Sequence, residues 1–160
     1  MKRFAMLALV LASGMACDKS PTTPSDPNVA RFTAILLPAN EVPPVTNTDA
    51  TASGTMQLTM TVTRDAANNI TGATYDFQIH VTGFPEGTTL TGAHIHAAPV
   101  GVAGPIVVPL TPPNASGVSS GCVNADKELV KAIRQHSENY YVNVHTSDFP
   151  AGAVRGQLSK

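Results

Sequence analysis

Tryptophan is absent from this 160-residue chain, aromatic residues make up 5% of it and charged residues 13%. With so few rings, the core must be built from Val, Ile, Leu and Met. Only two cysteines occur, Cys17 and Cys122. No disulfide framework can brace the fold, so the apolar core has to suffice. Ten basic and eleven acidic residues are spread without clusters. That excludes the basic footprint of a nucleic-acid-binding protein and electrostatic attachment to a membrane surface. No segment reaches the roughly 20 apolar residues that a transmembrane helix requires.

What is present begins at the amino end. Lys2 and Arg3 precede the apolar run 4–12, and Ser13, Gly14, Met15 and Ala16 follow it. This is the pattern of a cleaved secretion signal, residues 1–16. Gly14-Met-Ala-Cys17 resembles the lipobox of bacterial lipoproteins, with Gly14 where an aliphatic residue is usual. The resemblance implies that Cys17 becomes an acylated first residue, holding the protein at a bacterial membrane that faces the periplasm or the cell exterior. Plain cleavage after Ala16, leaving a free thiol, is the alternative. Anchoring would follow from several acyl chains, each buried methylene contributing roughly 0.8 kcal/mol. Residues 17–28 carry Pro21, Pro24 and Pro27 among polar neighbours, a composition that makes an extended tether rather than a core. Residues 29–160 have the length of one domain.

Within 29–160 most segments alternate apolar and polar residues, the mark of strands with one buried face. Such runs occupy 31–37, 55–63, 73–81, 93–97, 106–110, 140–146 and 154–158, separated by Gly, Pro, Asn and Asp. The expected fold is all-β: an antiparallel Greek-key or immunoglobulin-like β-sandwich with one short helix. The helix is expected over 126–136, where Leu129, Val130 and Ile133 recur at helical spacing behind Asp126.

The histidines define the candidate site. Residues two apart on a strand share a face, roughly 6.5–7 Å apart along the backbone. His94 and His96 therefore project together, away from Ile95, and two imidazoles so placed can converge on one ion. In 140–146, Val142 and Val144 take one face, while Tyr141, Asn143 and His145 take the other. His80 also lies on a polar face, in line with Asp76 and Gln78, and is a candidate fourth ligand. His136 is read as a solvated helix residue. Neutral imidazole suits zinc or copper, and an exported protein meets copper more freely than a cytosolic one. A hydrogen-bonded histidine network without metal satisfies the same pattern.

The segments around those histidines resemble the CHRD domain, first described in chordin and common in bacterial secreted proteins. The resemblance is carried by Gly92-Ala-His-Ile-His96, Gly101, Gly104-Pro-Ile-Val107, Tyr141-Val-Asn-Val-His-Thr146, Phe149-Pro-Ala-Gly152 and Arg155-Gly-Gln-Leu158. At the amino end, Phe32-Thr-Ala-Ile-Leu36 and Asn40-Glu-Val-Pro-Pro44 look like the domain's opening. The family commonly carries a glutamate where Ala153 stands, so any role for that acid lapses here. The resemblance implies a β-sandwich binding module, with a metal ion, an extracellular protein or a glycan as ligand, but no established activity.

A His-x-His strand in a Greek-key sandwich, with a later histidine, is also similar to copper–zinc superoxide dismutases. That analogy keeps a second reading open: a copper-dependent redox protein or copper carrier, with Arg155 attracting an anion and Asn143 beside the ligands. Fold analogy alone gives weak warrant for catalysis. Ser119-Ser-Gly-Cys122 is expected to be a small-residue loop rather than a nucleophile elbow. Gly101-Val-Ala-Gly104 leads into Pro105, not a helix, and so is no phosphate cradle. Glu41, Asp76, Glu86 and Asp148 are acids with no pairing evident in the sequence.

Overall fold

The computed structural model describes residues 26–160. The expected signal, Cys17 and the tether as far as residue 25 lie outside the described residues. Eight strands are formed: β1 Val29–Leu36, β2 Ser53–Arg64, β3 Ile70–Thr82, β4 Leu90–Ala97, β5 Ile106–Leu110, β6 Val118–Ala125, β7 Tyr140–Thr146 and β8 Val154–Gln157. One α-helix, α1 Lys127–Gln135, sits between β6 and β7. The strands make two four-stranded antiparallel sheets, ordered β1-β2-β3-β6 and β5-β4-β7-β8. Chain neighbours β3 and β4 lie in different sheets while β3 pairs with β6, a Greek-key crossover.

The period-two pattern fills the space between the sheets. Phe32, Leu36, Met56, Leu58, Met60, Tyr75, Phe77, Ile79, Ile95, Val142, Val144 and Val154 all point inward and are buried. As the composition requires, aliphatic and methionine side chains dominate. The helix closes one end: the Asp126 carboxylate accepts from the backbone N–H groups of Glu128 and Leu129, capping it. Val130 and Ile133 are fully buried on its inner face. His136 ends the helix, exposed and beside Glu138.

One segment departs from expectation. Residues 119–122 are not a loop but the middle of β6, whose register places Gly121 opposite Phe77. A Cβ on Gly121 would lie 2.9 Å from the Phe77 ring. Small residues on β6 make room for that ring, which is why no apolar alternation marks the strand. Cys122 consequently points outward and is exposed.

The sandwich is stitched along one side. Leu37 and Arg155 exchange backbone hydrogen bonds of 3.0 and 3.2 Å, and Thr33 pairs with Ser159. This seam joins β1 to β8 and carries the turn after β1 over the outer face of the second sheet.

Candidate metal centre

Along β7 the alternation fails: every residue from Tyr141 to Thr146 is buried. Val142 and Val144 face the core, as expected. Tyr141, Asn143 and His145 face outward yet are covered, because three loops fold across that side of the sheet. The polar face is a second, polar interior.

Strand register assembles the site. In the β4–β7 pairing His94 lies opposite Asn143, His96 opposite Tyr141, and Gly92 opposite His145. Gly92 matters because a Cβ there would meet His94 Cε1 at 3.3 Å and His145 Cδ2 at 3.4 Å. The missing side chain leaves room for both rings. His94, His96 and His145 each offer one ring nitrogen, and the three nitrogens lie within 4.8 Å of one another. Such atoms share a point within about 3 Å of each, against metal–nitrogen bonds of roughly 2.0–2.1 Å. Closing that gap requires only sub-ångström shifts of the rings.

Hydrogen bonds fix the protons. His96 Nδ1 lies 3.0 Å from the Gly104 carbonyl, and His145 Nδ1 lies 3.0 Å from the Pro150 carbonyl. A carbonyl only accepts, so both rings carry their proton on Nδ1 and expose the lone pair of Nε2. His94 Nδ1 then donates to His145 Nε2 at 2.9 Å. His96 Nε2 is buried without a hydrogen-bond partner among the described residues. A bare, buried acceptor is costly unless something occupies it. Backbone carbonyls gripping Nδ1 are the usual outer support of a metal-ligating histidine. The donor set therefore fits a metal ion. To join the other two, half-buried His94 would carry its proton on Nε2.

All three imidazoles hold protons less readily than free histidine, chiefly because burial penalises the charged form. Mutual repulsion adds to this at His94 and His145, and the Arg155 charge adds to it at His96. Rings held neutral are the form that binds metal.

The remaining candidates fall in two places. His80 is not near this cluster. It lies exposed on β3, between Thr55 and Val118, on the outer face of the other sheet with the whole core between. A fourth ligand from His80 is ruled out by that placement. Asn143 and Arg155 do lie beside the histidines, and both are 2% exposed. Arg155 stacks on Tyr141, its guanidinium carbon 3.4 Å from the ring centroid, and donates to the carbonyls of Pro99 and Val102. Enclosed this way, it presents no surface from which to attract an anion from solvent. Tyr141 in turn stacks on His96 at 4.7 Å, and its hydroxyl accepts from Gly104 N–H.

For one participant the sequence shows no partner. The seam at Leu37–Arg155 carries Glu41 onto this face, where both its oxygens lie 3.2 Å from Asn143 Nδ2. Glu41 is buried, and burial raises its pKa to about 7 despite the Arg155 charge and the Asn143 hydrogen bond. Ala153, which brings no acid to this face, is fully buried. Gly152, at φ 139°, permits the approach: a Cβ there would strike Asn143 and the Glu41 carboxylate.

Among known families, the model described as the CHRD domain matches residues 32–158. No curated protein and no solved structure matches the chain.

Proposed function

We propose, on the premise that this chain belongs to the CHRD domain family, that its binding activity is directed to a metal ion held by His94, His96 and His145. One observation carries this reading: three neutral imidazoles converge while carbonyls hold Nδ1 of two, leaving the buried His96 Nε2 bare. The hydrogen bonds among the described residues leave that nitrogen without a partner. The ion's protein ligands would be these three rings, with Tyr141 and the carbonyls of Gly104 and Pro150 orienting them. Bound there, a zinc or copper ion supplies a Lewis-acidic centre, or a redox centre in the case of copper.

The module is read as exported and tethered to a bacterial membrane through lipidated Cys17, displaying its site outside the cytoplasm. Copper carriage is the second reading. It is favoured by His94, the one ligand of the three that solvent partly reaches, where an incoming ligand could exchange. Dismutase-like redox catalysis has less support, since Arg155 is enclosed rather than facing an open site.

The test is metal analysis after incubation with copper and with zinc, followed by removal of loose ion. The unaltered protein is expected to retain about one equivalent, and the His94→Ala/His96→Ala variant close to none. Equal, negligible metal in both would end the proposal.

A further inference from the structure

Ligand type does not choose between the ions, because imidazole accommodates copper and zinc alike. The charge around the site does. The three candidate ligands are neutral, and no carboxylate or thiolate joins them in the cluster among the described residues. Behind them stands a permanent cation. Arg155 lies against one face of Tyr141, and Tyr141 lies parallel to His96, with 8° between the planes. Tyr141 stands on the strand between those that carry His96 and Arg155, and centroid distances of 3.4 and 4.7 Å bring the guanidinium within about 8 Å of the His96 ring, close enough for Coulomb repulsion across a buried stack. Its hydrogen bonds go to the neutral carbonyls of Pro99 and Val102. The carboxylate facing it is Glu41, which burial keeps partly protonated near neutral pH.

We infer that this site discriminates by charge, taking copper(I) in preference to divalent zinc or copper, and that Arg155 is the positioning residue that sets the choice. The inference rests on the metal-binding reading above. Each unit of charge on the ion is opposed by the guanidinium. At this distance and an effective dielectric of 20, that opposition is worth about 30-fold in affinity per unit charge. A monovalent ion escapes one of the two factors a divalent ion meets. The stack transmits this without direct contact, and Tyr141 keeps the guanidinium from reaching the ion's ligands.

The experiment compares affinities in the full chain: copper(I) by anaerobic competition with bicinchoninate, and zinc by competition with a chromophoric chelator. Arg155→Met is expected to lower the ratio of copper(I) to zinc affinity by about 30-fold. Arg155→Lys, which keeps the charge but loses the planar stack, should hold most of the ratio; a purely structural role for the guanidinium would lose it. Glu41→Gln at pH 8 removes the opposing negative charge and should raise the ratio severalfold. This variant also serves should Arg155→Met not fold. A wild-type chain that binds both ions, with ratios unchanged in Arg155→Met and Glu41→Gln, overturns the charge inference alone. A wild-type chain that binds neither ion overturns the metal-binding reading itself.

Discussion

Replacing Glu41 by glutamine isolates what a buried carboxylate does to this fold. Glu41 is 6% exposed. Desolvation raises its pKa from 4.5 to about 7, offset only in part by Arg155 and by the Asn143 amide. The folded protein therefore holds this proton more tightly than the unfolded chain. As pH rises from 4.5 to 7 the unfolded chain releases its proton first, so stability falls through that window and stays reduced above it. At 1.36 kcal/mol per pH unit the gap corresponds to about 3 kcal/mol, and solvent screening leaves about 2–3 kcal/mol. Glutamine cannot ionise, yet its oxygen still accepts from Asn143. Below pH 4.5 the two proteins should be equally stable within about 1 kcal/mol; above pH 7 Glu41→Gln should be more stable by about 2–3 kcal/mol. His94, His96 and His145 contribute in the opposite sense. With their proton affinity lowered by folding, their contribution is present above pH 6.5 and lost as pH falls below it. That background is common to both proteins and cancels in their difference. Urea unfolding of metal-free protein, followed by circular dichroism from pH 4 to 8.5, gives the difference curve. A flat curve, or a less stable variant at pH 8, would refute the reasoning.

Other perturbations probe separate parts of the molecule. Gly92→Val fills the space between the His94 and His145 rings; it should abolish metal retention and cost about 1–3 kcal/mol by overpacking, read by metal analysis and urea unfolding. Ile133→Ala, at a fully buried helix position, should cost about 2–5 kcal/mol by opening a cavity, with metal stoichiometry unchanged. Cys17→Ser should move the protein from the membrane fraction to the soluble one; unchanged fractionation would remove the lipid anchor from the account.

The strands were legible where side-chain period and burial agree. Over 55–63 of β2 and 73–82 of β3 each inward residue is apolar and each outward one is Thr, Gln, Asp or His, so hydrophobicity alone writes the pattern. It fails at β6, whose inward Ser119 and Gly121 are small to accommodate the Phe77 ring from a neighbouring strand. That requirement belongs to the partner and leaves no mark within the segment itself. The helix was legible from end to end, because Asp126 and the Leu129–Ile133 spacing act locally.

The sequence by itself determined that the domain is all-β, that it resembles the CHRD family, and that His94, His96 and His145 stand on the polar sides of their strands. Period two carries the strands and their faces, and the quoted motifs carry the resemblance. Only the tertiary structure decided which polar faces are solvent and which are interior. His80 and His94 obey the same alternation, yet one is open to water and the other shares a loop-covered layer. Strand register, which no single segment encodes, brought His145 to the β4 pair. The β1–β8 seam, joining residues more than a hundred positions apart, delivered Glu41 to Asn143 and enclosed Arg155. Alternation fixes the side of a sheet on which a residue lies, while burial and pairing depend on what the rest of the chain folds over it.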